Sequence, residues 1–328
     1  MTCLIRVRMA RVLVAGALSL LAIAANAQSY PSKPITVIVP FGPGSATDTI
    51  ARLVSQNLAT ALNASIIIEN KVGANGAIAA SYVARSTPDG YTLLMAENAV
   101  AIRPGFKDMT PTFDPVTELD AVASVAHSPL VLCIADAVPV NSVKELIAYS
   151  HSGKALNYAS AGTGSVAQLV WEVVKEGAKI DALSVPYRGG GPAMAAIIAG
   201  QVDVIMASSQ VAKPLVEDKR IKALAVTGME RSPALPDVPT LTEAGVAHAD
   251  VDLQFWFGVF GPKGMPADVK TKLEKAVQKA LESPAVGERL AALDIKPEFG
   301  PAAALQTRLQ NEIKNWTTFI EAKGLKAN

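Results

Sequence analysis

Histidine, cysteine and aromatic side chains are scarce in this 328-residue chain, which holds three histidines, two cysteines and 5% aromatics. The imidazoles of His127, His151 and His248 form no H-x-x-x-H pair and no C-x-x-C occurs, so the familiar metal-ligand spacings are missing. No G-x-S-x-G elbow marks a hydrolase nucleophile. His127 and Cys133 stand six residues apart, too far along an extended chain to act as a dyad. His151 follows a helical pattern and reads as a cation near a helix C-terminus. Neither glycine-rich loop is followed by Lys-Ser or Lys-Thr, so the Walker pattern fails; "GPGSAT" lacks the third glycine of the dinucleotide fingerprint. Charge of one sign is also lacking, with 30 basic against 29 acidic residues and no basic cluster, which removes the electrostatic basis for a nucleic-acid or anionic-membrane partner. These absences predict no metal, no cofactor, no catalytic residue and no enzymatic activity.

What is present begins with a leader. Arg6, Arg8 and Arg11 precede an apolar stretch, Val12 to Ala25, that closes on Ala25-Asn26-Ala27. Residues 1–27 read as a cleavable signal peptide, cut near Ala27-Gln28, and the remainder as exported to the periplasm. The stretch is shorter than the roughly 20 residues a membrane span needs. Losing three arginines leaves 27 basic against 29 acidic residues, a net charge of −2, and leaves Cys133 alone as a small buried hydrophobe. Without a disulfide the fold relies on its core, and about 300 residues suffice for two domains.

Runs of Val and Ile alternate with stretches of helical period, the signature of βα units on a mainly parallel sheet. A first series runs through ITVIV, a helix over 47–62, SIIIEN, AIAASYVARS and YTLLMA; an irregular Pro- and Asp-rich segment follows. A second series starts near Leu130 with VLCIA, a helix capped by Ser142, LNYAS, a helix over 165–175, ALSVPY, PAMAAIIAG, VDVIMAS and KALAVTG. The C-terminal segment has a strand, VDLQFWFGVFGP, and two strong helices, expected to return and cover the first sheet. The predicted organisation is an α/β chain of two lobes, 28–128 with 251–328 forming the first and 129–250 the second.

Ligands of such sheets bind beyond the carboxyl ends of strands. Four junctions there carry small, hydroxyl-bearing residues: "PFGPGSATD", "YASAGTGSV", "PYRGGGPA" and "MASSQ". Backbone amides at a helix N-terminus suit an anion, and the loop of Ser160, Gly162, Thr163, Gly164 and Ser165 suits a carboxylate, with Ser165 as N-cap. Asp48 lies in a first helical turn, where the structural role outweighs ligand contact. Arg188 suits bidentate pairing with a carboxylate, or is a solvated loop residue. Glu97, beside Asn98, would repel a plain anion, so it either points away or meets a donor or cationic part of the ligand. Phe255 and Trp256 either wall the ligand or pack in the core.

These motifs resemble the periplasmic solute receptors of tripartite tricarboxylate transporters, the Bug receptors. The likeness covers nearly all of the mature chain: "YPSKPITVIVPFGPGSATDTIARL", "ENKVGANGAIAA", "PDGYTLL", "FDPVTEL", "LNYASAGTGS", "VPYRGGGPA", "LAVTGMERSPALPDVPTLTEAG" and "WFGVFGPKGMP". The resemblance implies a two-lobed Venus flytrap that traps a small organic carboxylate and presents it to large and small integral membrane subunits. By matching position it implies ligand contacts at Phe41, Gly42, Pro43, Gly44, Ser45 and Asp48 in one lobe. In the other it implies Ser160, Gly162, Thr163, Gly164, Ser165, Tyr187 and Arg188. Ser208 is a further candidate contact, as are Glu97 and Asn98 at a far end of the pocket, where Glu97 and Arg103 depart from the family pattern. Ser45-Ala46 replaces a usual glycine, and Ala207 stands where many members carry Asp. A monomer is the default expectation. Two rival readings remain: a receptor of the same build feeding a sensor kinase, and an exported hydrolase using Ser160 or Ser208. The loop reading predicts that Gly164→Val fills the anion's space at modest cost in stability.

Overall fold

The structure, a computed structural model, describes residues 30–107, 113–160, 162, 164–187, 189–247 and 253–326. The leader, Thr163, Arg188 and His248 lie outside the described residues.

Two sheets organise the chain. The first has six strands in the order β11-β4-β10-β3-β1-β2, from β1 (Ile35–Val39), β2 (Ile66–Asn70), β3 (Thr92–Glu97), β4 (Leu119–Ser128), β10 (Phe255–Pro262) and β11 (Lys296–Pro301). The second has five, β7-β6-β8-β5-β9, from β5 (Leu130–Ala135), β6 (Asn157–Ser160), β7 (Leu183–Pro186), β8 (Val204–Ser208) and β9 (Ile221–Val226). Pro129 alone separates β4 from β5, so the chain passes between sheets there. His127 and Cys133 therefore sit on strands of different sheets.

Both sheets are mixed, which corrects the expectation of mainly parallel ones. Parallel pairing holds for β1 with β2 and β3, and for β6 with β7 and β8. The strands that carry the chain between sheets run against their neighbours: β10 is antiparallel to β3 and β4, and β5 to β8 and β9. A parallel neighbour needs a crossover, usually helical, within one lobe. A strand delivered from the other lobe escapes that constraint.

The helices follow from their caps and periods. They are α1 (Ala46–Leu62), α2 (Ala77–Ala84), α3 (Ala99–Ile102), α4 (Pro115–Glu118), α5 (Val143–Ser150), α6 (Val166–Ala178), α7 (Gly190–Ile198), α8 (Ser209–Glu217), α9 (Ala267–Leu281), α10 (Pro284–Ala292) and α11 (Ala302–Lys323). Ser45, Ser142 and Ser165 cap α1, α5 and α6, each hydroxyl accepting the amide three residues on. The final helix divides its loyalty. Leu305 and Leu309 of α11 pack with Trp256 and Phe260 on the first sheet, whereas Trp316 and Ile320 join the core of the second. Trp256, 1% exposed, and Phe255 belong to the packed interior, so the core reading of these aromatics holds. No described helix is long and apolar enough to cross a membrane.

Candidate functional site

Helix N-termini meet in two pairs, the turn before α2 with the loop before α6, and α1 with α8. Asn75, in the turn before α2, donates from Nδ2 to the Gly164 carbonyl at 2.5 Å. Gln210, in the first turn of α8, donates to Thr49 Oγ1 in the first turn of α1 at 3.3 Å. The loop before α6 thus reaches across to the first lobe, and α1 and α8 are bridged end to end. A further tie lies behind α8: the Ser209 hydroxyl donates to Asp294, as does Ser232 at 2.7 Å, while Ser128 Oγ donates to the Asp294 carbonyl at 3.1 Å.

In the first-lobe loop, Gly44 takes φ +83°, a left-handed conformation that glycine reaches without a Cβ penalty. Its amide donates to Asp48 Oδ2 at 3.0 Å. Asp48 also receives Arg52 Nε and Nη2 at 2.9 Å each and Asn70 Nδ2 at 2.9 Å; Asn70 donates as well to the Phe41 carbonyl at 2.7 Å. Burial pushes this carboxyl up, and the bonds from Arg52, Asn70 and Gly44 more than offset it, holding Asp48 below the usual carboxylate range. Both of its oxygens are engaged within the lobe, as the structural reading expects. Phe41, Gly42 and Ser45 are partly covered, and Pro43 and Gly44 are exposed.

In the second-lobe loop, Gly162 and Gly164 take φ +107° and +75°. The Gly162 amide donates to Ser160 Oγ at 3.3 Å, and the Gly164 amide to Gln168 Oε1 at 2.7 Å. Ser160 is buried at the end of β6, and its carbonyl accepts the Tyr187 amide at 2.9 Å, which brings the two loops of this lobe together. A Cβ on Gly164 would lie 3.3 Å from Phe106 Cε2, so the glycine leaves room for Phe106, which is buried in the core cluster of the second sheet. A valine here would press on Phe106 in addition to taking up the space expected for an anion. Ser208 holds the N-cap position of α8 without a capping side-chain bond.

Beside the first loop lies a small pocket, partly open to solvent, lined by Phe41, Asn75, Ala96, Glu97, Val100 and Arg103 among others. Glu97 is 5% exposed and its Oε2 has no hydrogen-bond partner. Burial pushes its carboxyl up to about 8, with Glu312 adding to the rise and the Ala99 amide opposing it. At neutral pH the group carries its proton and does not repel an anion. Asn98, by contrast, stitches strands together: Oδ1 accepts the Trp256 amide at 2.9 Å and Nδ2 donates to the Gln254 carbonyl at 3.1 Å. Elsewhere, His127 Nδ1 bonds Glu298 at 2.8 Å, His151 Nε2 bonds the Lys179 carbonyl at 2.8 Å, and the buried Cys133 thiol is pushed up to about 12. Among the described residues no cluster of three His, Cys, Asp or Glu could hold a metal.

Asn75, Phe106 and Gln168 escaped the sequence reading. For Gln168 a signal existed. "GSATD" and "GSVAQ" share glycine, cap serine and an acceptor three residues after the serine.

Two mixed sheets joined by crossing strands, with glycine-rich helix N-termini converging between them, define a two-lobed solute-binding protein of the periplasmic type. Known proteins supply the family. Residues 50–325 match the model of the tripartite tricarboxylate transporter family receptor, and the chain belongs to that family. It is 30% identical to the periplasmic binding protein BugD, with a TM-score of 0.82 over 90% of this chain and 99% of that one. Two Rhodopseudomonas palustris structures are similarly near: Rpa4515 with adipate, 32% identical, TM-score 0.84, covering 90% and 99%; and MatC with bound malate, 34% identical, TM-score 0.78, covering 88% and 99%.

Proposed function

We propose that this receptor captures a small organic carboxylate between lobe 28–128 with 251–328 and lobe 129–250, and hands it unchanged to the integral membrane subunits of a tripartite transporter. The carrying observation is that helix N-termini of the two lobes meet, the turn before α2 with the loop before α6 through Asn75 and the Gly164 carbonyl, and α8 with α1 through Gln210 and Thr49. Such ends hold partial positive charge and suit an anion. The adipate and malate held by two relatives support a carboxylate. Residues 1–27 act as the export leader, placing the mature chain in the periplasm as a monomer. The lobes close because the ligand binds the closed arrangement better.

Of the contacts the loops offer, Ser160, Gly162, Thr163, Gly164, Ser165, Tyr187, Arg188 and Ser208 would meet the ligand from one side, and Phe41 to Ser45 from the other. Hydrolysis gains no support. Neither described imidazole bonds to Ser160 or Ser208. Calorimetric titration of unfolded, ligand-stripped and refolded protein with mono-, di- and tricarboxylates should show saturable binding to at least one of them. Silence across the panel would overturn the proposal.

A further inference from the structure

The cavity behind the first loop is continuous with the junction between the lobes, because Phe41 and Asn75 line it and Asn75 also touches Gly164. A carboxylate held at the helix N-termini would send its remaining atoms into this space. The walls are mostly small and apolar, such as Ala96 and Val100, and they suit a hydrocarbon body. Glu97 breaks that pattern. It is buried, lines the cavity, and keeps Oε2 without a partner, which is costly unless something completes the bond.

We propose that Glu97 is the specificity-determining residue of this site, hydrogen-bonding a hydroxyl group at the far end of the bound carboxylate. The inference rests on the carboxylate reading above. A hydroxyl both donates and accepts, so one group satisfies Oε2 whether or not Glu97 carries its proton. An ammonium brings three donors to a wall that offers one orphaned acceptor, and demands an ionised Glu97 against burial and the nearby Glu312. A second carboxylate brings two charged oxygens into an apolar space beside an acidic side chain, with Arg103 on the same wall the one cation facing it. A ligand with a terminal hydroxyl and no second carboxylate would set this receptor apart from the relatives that hold the dicarboxylates adipate and malate.

Four probes of one length test the idea by calorimetry at pH 7: hexanoate, 6-hydroxyhexanoate, 6-aminohexanoate and adipate. The full mature chain should bind the hydroxy acid about tenfold more tightly than hexanoate, and more tightly than the other two. Glu97→Gln, which keeps a donor and an acceptor, should retain the preference within about threefold. Glu97→Leu should erase it while leaving hexanoate affinity in place, which also shows that the variant is folded. Preference for the ammonium or the second carboxylate would overturn the inference, as would a hydroxyl preference that survives Glu97→Leu. Equal binding of all four would sink it while sparing the carboxylate reading; no binding by any probe, together with silence of the wider carboxylate panel, would sink both.

Discussion

Gly44 and Gly164 each precede an N-cap serine, and each gives its amide to a side chain four residues on: Asp48 in the first lobe, Gln168 in the second. The covalent pattern is the same and the electrostatics differ. In the first loop a carboxylate already sits in the opening turn of α1, neutralised by Arg52 and stitched to Asn70. In the second the acceptor is a neutral amide and the first turn of α6 has no acidic residue, so the positive end of that helix dipole meets no fixed negative charge of its own. The first loop is built for rigidity. On the proposed reading, the second is where an incoming anion would gain most.

The strongest way to break this comparison is to put valine at each glycine. Both positions have positive φ, so both variants suffer backbone strain, roughly 1–2 kcal/mol. Only Gly164 has a neighbour in the way, Phe106 Cε2 at 3.3 Å, whereas a Cβ on Gly44 meets nothing within 4 Å. Gly164→Val should therefore lose about 100-fold or more in ligand affinity because the side chain presses on Phe106 and takes up the space expected for an anion, a loss of roughly 3 kcal/mol, while Gly44→Val loses less than about tenfold. Urea unfolding would measure the strain and calorimetry the binding. Equal binding losses would mean that the two loops play one role.

A charge exchange sharpens the contrast. Gln168→Glu places a carboxylate where the second loop has an amide; helix stability should rise by about 0.5 kcal/mol through the dipole, while carboxylate affinity falls about tenfold from repulsion at short range. Asp48→Asn should do the reverse, costing about 2 kcal/mol of stability because several donors lose a charged acceptor, with ligand affinity changing less than about threefold. The pH dependence carries a sign. Asp48 is depressed when folded, so its contribution is complete above the unfolded carboxylate value, about 4, and is lost as pH falls through the folded value. Asp48→Asn should flatten that acid limb in pH-dependent unfolding curves; an unchanged limb would show that the Asp48 network contributes nothing to stability.

Local chemistry made half of this legible from the sequence. The cap serines at 142 and 165 and the glycine-rich turns around 44 and 164 depend on a few neighbouring residues, so short motifs betray them. The two-lobed α/β plan followed from periodicity and from the family likeness. By contrast, β11 is spelled KPEFGP, whose prolines and glycine read as a turn; it forms a strand because β4 offers it an edge. Glu97 could be seen to be awkward beside an anion, but its proton-bearing state depends first on burial by packed segments, and then on Glu312, 215 positions along the sequence in α11. Phe106 and Asn75 were invisible for the same reason. Their partner is a glycine distant in sequence.

The smallest expected effect concerns that bridge. Asn75 takes φ +50° between Gly73 and Gly76, both also left-handed, so the turn is shaped to present its amide. The bond to the Gly164 carbonyl at 2.5 Å joins the two lobes, so any arrangement that parts these loops would lose it, and it would favour a closed form. A bond of this kind contributes about 1 kcal/mol. Asn75→Ala should accordingly weaken ligand binding about fivefold, through faster release, while the unfolding midpoint hardly moves because neither loop's internal network is touched. Asn75→Asp would place a charge at the same point and should weaken binding further, since a carboxylate cannot donate to the Gly164 carbonyl and repels the ligand as well. Stopped-flow release rates equal to those of the unaltered protein in both variants would show that the bridge is incidental to capture, leaving the difference between the two loops to rest on Phe106 and Gln168.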